Sequence, residues 1–402
     1  MQDKVVQGAA LLNVRTLPEE ADGGSIRRLL TMSWAHFLND GAANYLPGVL
    51  PAILLHLHIH VALAGSIMAA LLMGQALQPL YGWLADRLGG RTFIIVGIVG
   101  TATGGALIGI VPGYWSLIGV LMIIGVTSSM FHPQALAAVR QLSGKRRGLV
   151  MSGFLVGGEL GRGIWPMLAS LVVVSYGLKA SWLLAVPALL TLPLLWYCVP
   201  MQPPRHPDLP PIAWRQHRKD LAIVIGFSAL RATLIFSLVT FIPLIWHQQG
   251  GSLISGASLI TTLLVSGIIG NLGGGHLADR LGRRPVVIIA SILSTLLLVV
   301  SLLVSGVVLW LSLAGLGVSI FATVPLTVLM GQDILPENPS LGSGLVLGLA
   351  NGLGAVALMV FGLLALRWDT RAVLWLNVGL TAASVVLAFY LPGDKRGRSR
   401  AA

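Results

Sequence analysis

Twelve apolar stretches run through this 402-residue chain, at about 29–55, 61–83, 92–112, 115–140, 148–175, 180–199, 220–247, 253–277, 285–305, 307–331, 341–366 and 371–391. Each is near the ~20 residues that a helix needs to cross a bilayer. A chain so built has few ways to fold. The hydrocarbon region holds no water, so each backbone amide must find its partner within its own segment, and a helix provides this. Charged residues are 10% of the chain, against roughly 25% in soluble domains. The reading is an all-α membrane protein with 12 transmembrane helices. The widest break, 200–219, is rich in Pro, Arg and His and parts six helices from six. The expected organisation is a tail over 1–28, a bundle over 29–199, a linker over 200–219, a bundle over 220–391 and a tail over 392–402. No uninterrupted apolar core follows Lys4, so the first residues read as a tail rather than a cleaved signal.

A second feature pairs the halves. Gly82-Trp83-Leu84-Ala85-Asp86-Arg87-Leu88-Gly89-Gly90-Arg91 follows the second stretch, and Gly275-His276-Leu277-Ala278-Asp279-Arg280-Leu281-Gly282-Arg283-Arg284 follows the eighth. Matching motifs about half a chain apart indicate internal duplication, hence two pseudo-symmetric six-helix bundles. Each copy reads as a tight hairpin in which Asp caps a helix or pairs with Arg. Asp86, Arg87, Arg91, Asp279, Arg280, Arg283 and Arg284 are therefore candidates for gating.

The net charge of +12 is a matter of orientation. Basic residues cluster at Arg27 and Arg28, Arg87 and Arg91, Arg140 to Arg147, Arg205 to Lys219, Arg280 to Arg284, and Lys395 to Arg400, all on one side of the expected helices. Lys179, Arg367 and Arg371 fall on the other. The positive-inside rule then puts both termini in the cytoplasm, with the chain in the cell (inner) membrane. No basic stripe with interleaved aromatics suggests nucleic acid. The single cysteine, Cys198, excludes an intrachain disulfide and a Cys-based metal cluster.

Ionisable residues inside a bilayer cost about 2.5–3.5 kcal/mol each on insertion scales, so each one is informative. Helix 1 carries His36, Asn39 and Asp40 on one stripe. Asp40 reads as the proton-coupling acid and His36 as a relay or gate, with Asn39 lining the substrate path; the bland reading is a polar tether. Helix 5 carries Glu159 and Arg162 at i, i+3. They form either a structural ion pair or one that opens when Glu159 takes a proton and Arg162 meets an anion. Around them Gly157, Gly158 and Gly161, ending at Pro166, make a small-residue face on a helix that can kink. His132 precedes Pro133 in helix 4 and is a substrate-binding candidate. Trp34 and Tyr45 either line a cavity or pack in the bundle, and both are kept as substrate-binding candidates. Asp333 and Glu337 close helix 10 in the one inner loop without Lys or Arg, where they suit an inner gate. His56, His58 and His60 fall where helix 1 meets the outer loop, and His56 and His60 share i, i+4 spacing, but no Cys or carboxylate completes a site nearby, and no metal or other cofactor is assigned.

Several of these motifs together resemble a known family. The duplicated loop in a twelve-helix chain is similar to the major facilitator superfamily. Ala35-His36-Phe37-Leu38-Asn39-Asp40, Ser129-Met130-Phe131-His132-Pro133 and Val156-Gly157-Gly158-Glu159-Leu160-Gly161 resemble the fosmidomycin-resistance type of efflux antiporter. So do Met330-Gly331-Gln332-Asp333-Ile334-Leu335-Pro336, Ser343-Gly344-Leu345 and Asn351-Gly352-Leu353-Gly354. The resemblance implies that helices 1, 4, 7 and 10 line a cavity and that the Gly-rich helix 5 lies between the halves. Arg231, near the middle of helix 7, would then face that cavity. With no acid within a turn, it takes its counter-charge from Asp40, Glu159 or a substrate. Asp40, Glu159, Arg162 and Arg231 are expected to converge.

The function read from this is a proton-coupled antiporter, acting as a monomer and exporting a small anionic or amphiphilic compound of the drug-efflux type. Uptake of an organic anion by proton symport is the alternative. A membrane-embedded enzyme would need a constellation such as His-Glu-x-x-His or Gly-x-Gly-Asp, and none is found.

Overall fold

A computed structural model describes residues 23–88, 90–142, 147–199, 214–335 and 339–393. Among these every regular element is helical. The first membrane segment is α1 (Gly23–Asn44) and α2 (Leu46–His56), which meet at Tyr45 because Pro47 sits in the first turn of α2. The second is α3 (Ala64–Gln75) and α4 (Gln78–Leu88). Then come α5 (Arg91–Leu107), α6 (Tyr114–Leu142) and α7 (Arg147–Tyr176), followed by a 3₁₀ turn (Leu178–Ala185) leading into α8 (Val186–Cys198). The second half runs α9 (Trp214–Gln248), α10 (Leu253–Leu281) and α11 (Arg283–Leu303). It continues with α12 (Val307–Ala322) and α13 (Val324–Ile334), broken at Thr323 ahead of Pro325, and closes with α14 (Pro339–Arg367) and α15 (Thr370–Ala388). The twelve expected segments are all present. Helix α9 begins at Trp214, inside the stretch read as linker.

Among the described residues, ten of the segments are long and apolar enough to cross a membrane. The two that fall short, α1–α2 and α7, hold His36, Asn39, Asp40, Glu159 and Arg162. The outer surface is apolar, as lipid requires: Leu190, Val307, Leu311 and Leu363 are more than half exposed.

In lipid, helices are held by close van der Waals fit and interhelical hydrogen bonds rather than by exclusion of water. Small residues supply that fit. In the first half α7 lies against α1, and in the second α14 lies against α9. The two halves meet along α3 with α14 and α7 with α10, pairs that the internal pseudo-symmetry exchanges. Gly65 approaches the backbone of Leu358 and Gly362, and Thr261 donates to the Gly163 carbonyl at 2.6 Å. The Gly-rich face of α7 is therefore divided. Gly157, Gly158 and Gly161 serve contact with α1 inside one half, and Gly163 serves contact with the other half. Pro166 does not break α7, and its carbonyl faces Gly48.

The second copy of the repeated loop is shorter than a loop. Helix α10 continues through Asp279 and Arg280 to Leu281, and Gly282 alone turns the chain at φ 89° into α11. Only glycine holds that backbone without strain. Asp279 and Arg280 are exposed and Arg284 is half-buried, and Asp279 does not cap α11. Arg283 instead pairs with Asp333 at the end of α13, at 2.5 Å. Asp333 is 59% exposed, and such pairs contribute about 0–1 kcal/mol. Asp333→Asn is expected to change stability within that range. Thermal unfolding in detergent checks it, and a larger drop would mean the pair closes the bundle rather than trims its surface. Of the first copy, Arg91 lies over the Trp196 ring at 4.5 Å. The side chains of Asp86 and Arg87, and the whole of Glu337, fall outside the described residues.

Candidate functional site

Helical periodicity puts His36, Asn39 and Asp40 on one face of α1, and all three are buried. Helix α6 approaches that face with Ser128 and His132, one turn apart, and α7 with Glu159 and Arg162. The result is one polar cluster in the first half. His132 Nε2 stands 2.9 Å from Asp40 Oδ1, and His36 Nε2 stands 3.3 Å from Asp40 Oδ2. Arg162 Nε is 3.3 Å from the same Oδ2, and its Nη2 meets Glu159 Oε1 at 2.5 Å. Asn39 Nδ2 donates to Asp40 Oδ1 at 3.2 Å and to Ser128 Oγ at 3.4 Å.

The far side of each imidazole decides what the near side can be. His36 Nδ1 lies 2.9 Å from the Phe154 carbonyl, and His132 Nδ1 lies 2.9 Å from the Ser128 carbonyl. A carbonyl only accepts, so both Nδ1 atoms carry hydrogen. A neutral imidazole then has a bare lone pair on Nε2. Two lone pairs do not meet at 2.9 Å without a proton between them. The His132–Asp40 contact therefore holds a proton, on one partner or the other.

The charge count agrees. Asp40 and Glu159 bring two negative charges and Arg162 one positive, so one added proton makes the cluster neutral. Buried charge that is fully paired is tolerated, and unpaired charge is not. The cluster is also incompletely bonded: His36 Nε2, Asn39 Oδ1, Glu159 Oε2 and Arg162 Nε are buried and lack a hydrogen-bond partner of good geometry. Such atoms gather where groups must change partners. Packing holds the rest in place. His36 stacks on Phe154 at 4.2 Å and meets His132 edge-on at 5.3 Å, and Gly158 leaves the space its ring occupies.

His36, Asp40 and His132 bring one ligand atom each to within 4.8 Å of one another, a spacing that suits a small metal ion. Arg162 weighs against a dication there, because its guanidinium already holds Asp40 Oδ2.

Of the four residues expected to converge, Asp40, Glu159 and Arg162 do so and Arg231 does not. Its Nη1 donates to Thr327 Oγ1 at 2.8 Å and Thr323 Oγ1 at 3.3 Å, within the second half. Asp40 and Glu159 are not its counter-charge: both acids pair with Arg162, and among the described residues neither forms an ion pair with Arg231. Within α7, Glu159 pairs with Arg162 rather than across the molecule. Trp34 also lies elsewhere. About 200° around α1 from His36, it is 41% exposed, stacks on Phe37 and donates to Thr191 of α8 at 3.2 Å. Tyr45 is a packing residue at the α1–α2 break, buried, with its hydroxyl donating to the Gly105 carbonyl at 2.5 Å. His60 caps the turn at Val61–Leu63 by accepting from Ala62 N–H.

Three residues were not singled out from sequence. Ser128 sits four before His132 and was readable as part of its stripe. Asn271, an amide in the apolar α10, reaches Glu159 from the other half; its polarity at bilayer depth was the available signal. Phe154 acts through its carbonyl, which no sequence pattern marks.

A bundle of twelve membrane segments in two related halves, with a charged cluster buried in one, is the architecture of a secondary transporter. The family model for the Major Facilitator Superfamily matches residues 32–355 and 224–402. The chain belongs to that superfamily, and it is a multi-pass membrane transporter. It is 27% identical over 389 residues to an uncharacterized MFS-type transporter, YfnC, of Bacillus subtilis, covering 92% of this chain and 94% of that protein. It is 26% identical over 350 residues to the fosmidomycin resistance protein of Escherichia coli, covering 83% and 85%. Among solved structures, a bacterial homolog of the human lysosomal transporter Spinster, inward-facing and occupied, superimposes with TM-score 0.73 at 15% identity, covering 90% of this chain and 95% of that one. The nucleoside transporter NupG gives 0.72 at 18%, covering 90% and 98%.

Proposed function

We propose that this protein is a proton-coupled antiporter that exports a small anionic or amphiphilic compound. The observation that carries the reading is the His132–Asp40 contact, which requires a proton between two groups that each bond elsewhere as well. In the proton-bound state the cluster is neutral and Arg162 is balanced by Glu159. When the proton leaves, the Asp40 carboxylate is open to a hydrogen-bond donor or cationic group of the substrate, and Arg162 receives any anionic group the substrate carries. Arg162 is 35% exposed, so a solute can reach it. His132, on the same carboxylate, is partly exposed as well. Substrate and proton thus compete for the Asp40 carboxylate, and a group that only one of them can occupy at a time meets the thermodynamic requirement for exchange. The Glu159–Asn271 contact between α7 and α10 links the cluster to the second half, so a change of charge there biases rocking of the bundles. The charge asymmetry of the loops supports a cytoplasmic location for both termini in the inner membrane. The efflux direction is supported by the names of relatives: fosmidomycin resistance, and multidrug resistance for MdtG of Serratia proteamaculans, 25% identical over 307 residues.

Adding fosmidomycin, or members of a panel of organic anions and antibiotics, to the purified protein in weakly buffered detergent is expected to release protons. Uptake of protons on binding would replace antiport by symport. Binding with no proton change would remove the coupling role of the cluster altogether.

A further inference from the structure

We propose that the cavity beside Arg231 binds one small inorganic anion of halide size. The cavity lies inside the second half, between α9, α11, α12 and α15, and is lined by Arg231, Ser291, Ser294, Thr323, Thr381 and Ser384 among others. No carboxylate lines it. Arg231 is 8% exposed and, among the described residues, forms no ion pair. A guanidinium stays protonated in a protein, so its charge cannot be shed. Of its N–H groups only those on Nη1 bond protein, to Thr323 and Thr327; those on Nη2 and Nε find no protein acceptor among the described residues. A buried cation with donors to spare and no counter-charge calls for an anion.

Size narrows the choice. The cavity volume is 20 Å³, where roughly 10–15 Å³ admits one water. One monatomic anion fits, and the organic compound proposed for the first half does not. The hydroxyls suit such a guest. Ser291, Ser294, Thr381 and Ser384 each donate to a carbonyl of their own helix at 2.6–2.8 Å. Those carbonyls already serve the backbone ladder, so a hydroxyl can turn its proton into the cavity without orphaning the helix. The residues thus form a fork of guanidinium donors opposite a ring of rotatable donors. The site shares no residue with the Asp40 cluster, and the inference does not rest on proton coupling.

The test is thermal unfolding of the full chain in detergent, titrated with sodium chloride or sodium gluconate at equal ionic strength, so that screening cancels. Chloride is expected to raise the midpoint in a saturating way, and gluconate is not. Arg231→Met should abolish the chloride-specific shift, whereas Asp40→Asn should keep it. Equal midpoints in the two salts for wild type would overturn the proposal and leave water as the occupant, as would a chloride shift that survives Arg231→Met. If Arg231→Met does not fold, wild-type crystals grown in bromide decide the matter. Anomalous density beside the Arg231 guanidinium supports the site, and its absence overturns it.

Discussion

Asp40→Asn is expected to remove the link between substrate and proton while leaving a folded protein. The amide has nearly the shape of the carboxylate, and its environment of two imidazoles and Asn39 offers it hydrogen bonds. What it loses is charge. With Asp40 neutral, Glu159 and Arg162 balance each other, and nothing in the cluster draws a proton to Nε2 of His132. The size of the effect follows from the gradient. A two-unit pH difference is worth about 2.7 kcal/mol per proton, which sustains about a hundredfold concentration ratio of exchanged solute. In proteoliposomes with that gradient, wild type should build such a ratio for a transported panel compound. The variant should approach a ratio of about one, with its binding affinity changed far less. Proton release on ligand addition should vanish with it. Release at wild-type level from Asp40→Asn would place the exchanged proton elsewhere, with Glu159 next in line.

Parts of this site are visible in the sequence and parts are not, for a physical reason. Periodicity within one helix is local, so the His36–Asp40 stripe and the Glu159–Arg162 pair can be read from spacing alone. The duplicated loop and the apolar run lengths likewise identify the halves, because bilayer thickness imposes a length on each segment. Contacts between helices depend on the angle at which each is rotated, and hydropathy reports depth but not rotation. Hence His132 was recognised as a polar residue in helix 4 without its partnership with Asp40. Arg231 sits at a depth that suited the shared cavity but is turned toward Thr323 and Thr327. Trp34 has the wrong rotation on α1 for the same reason. The Nδ1–H bonds that fix both imidazoles end on backbone carbonyls of Phe154 and Ser128, and every residue type has one of those. The breaks at Tyr45 and Thr323 were more accessible, since Pro47 and Pro325 stand where a new helix begins.

Gly161→Val should damage both stability and coupling without touching any charge. A Cβ at Gly161 would fall on the Phe37 carbonyl of α1 and within 3.0 Å of the Gly41 amide nitrogen. Both obstacles are backbone, so no side chain can turn aside. One turn away, Gly157 meets the Ser33 carbonyl in the same manner, and Gly158 meets the His36 ring. The two helices touch along their backbones, and a valine has to push them apart. Overpacking of this kind costs about 1–3 kcal/mol. It should also separate Arg162 from Asp40, whose contact at 3.3 Å spans this interface. A loss of thermal stability in detergent and a loss of substrate-linked proton release are therefore expected together. Gly273→Val is the matched control, because a Cβ there meets nothing within 4 Å. If the two variants unfold at the same temperature and release protons alike, then α1 and α7 are not in backbone contact, and the placement of Arg162 against Asp40 loses its support.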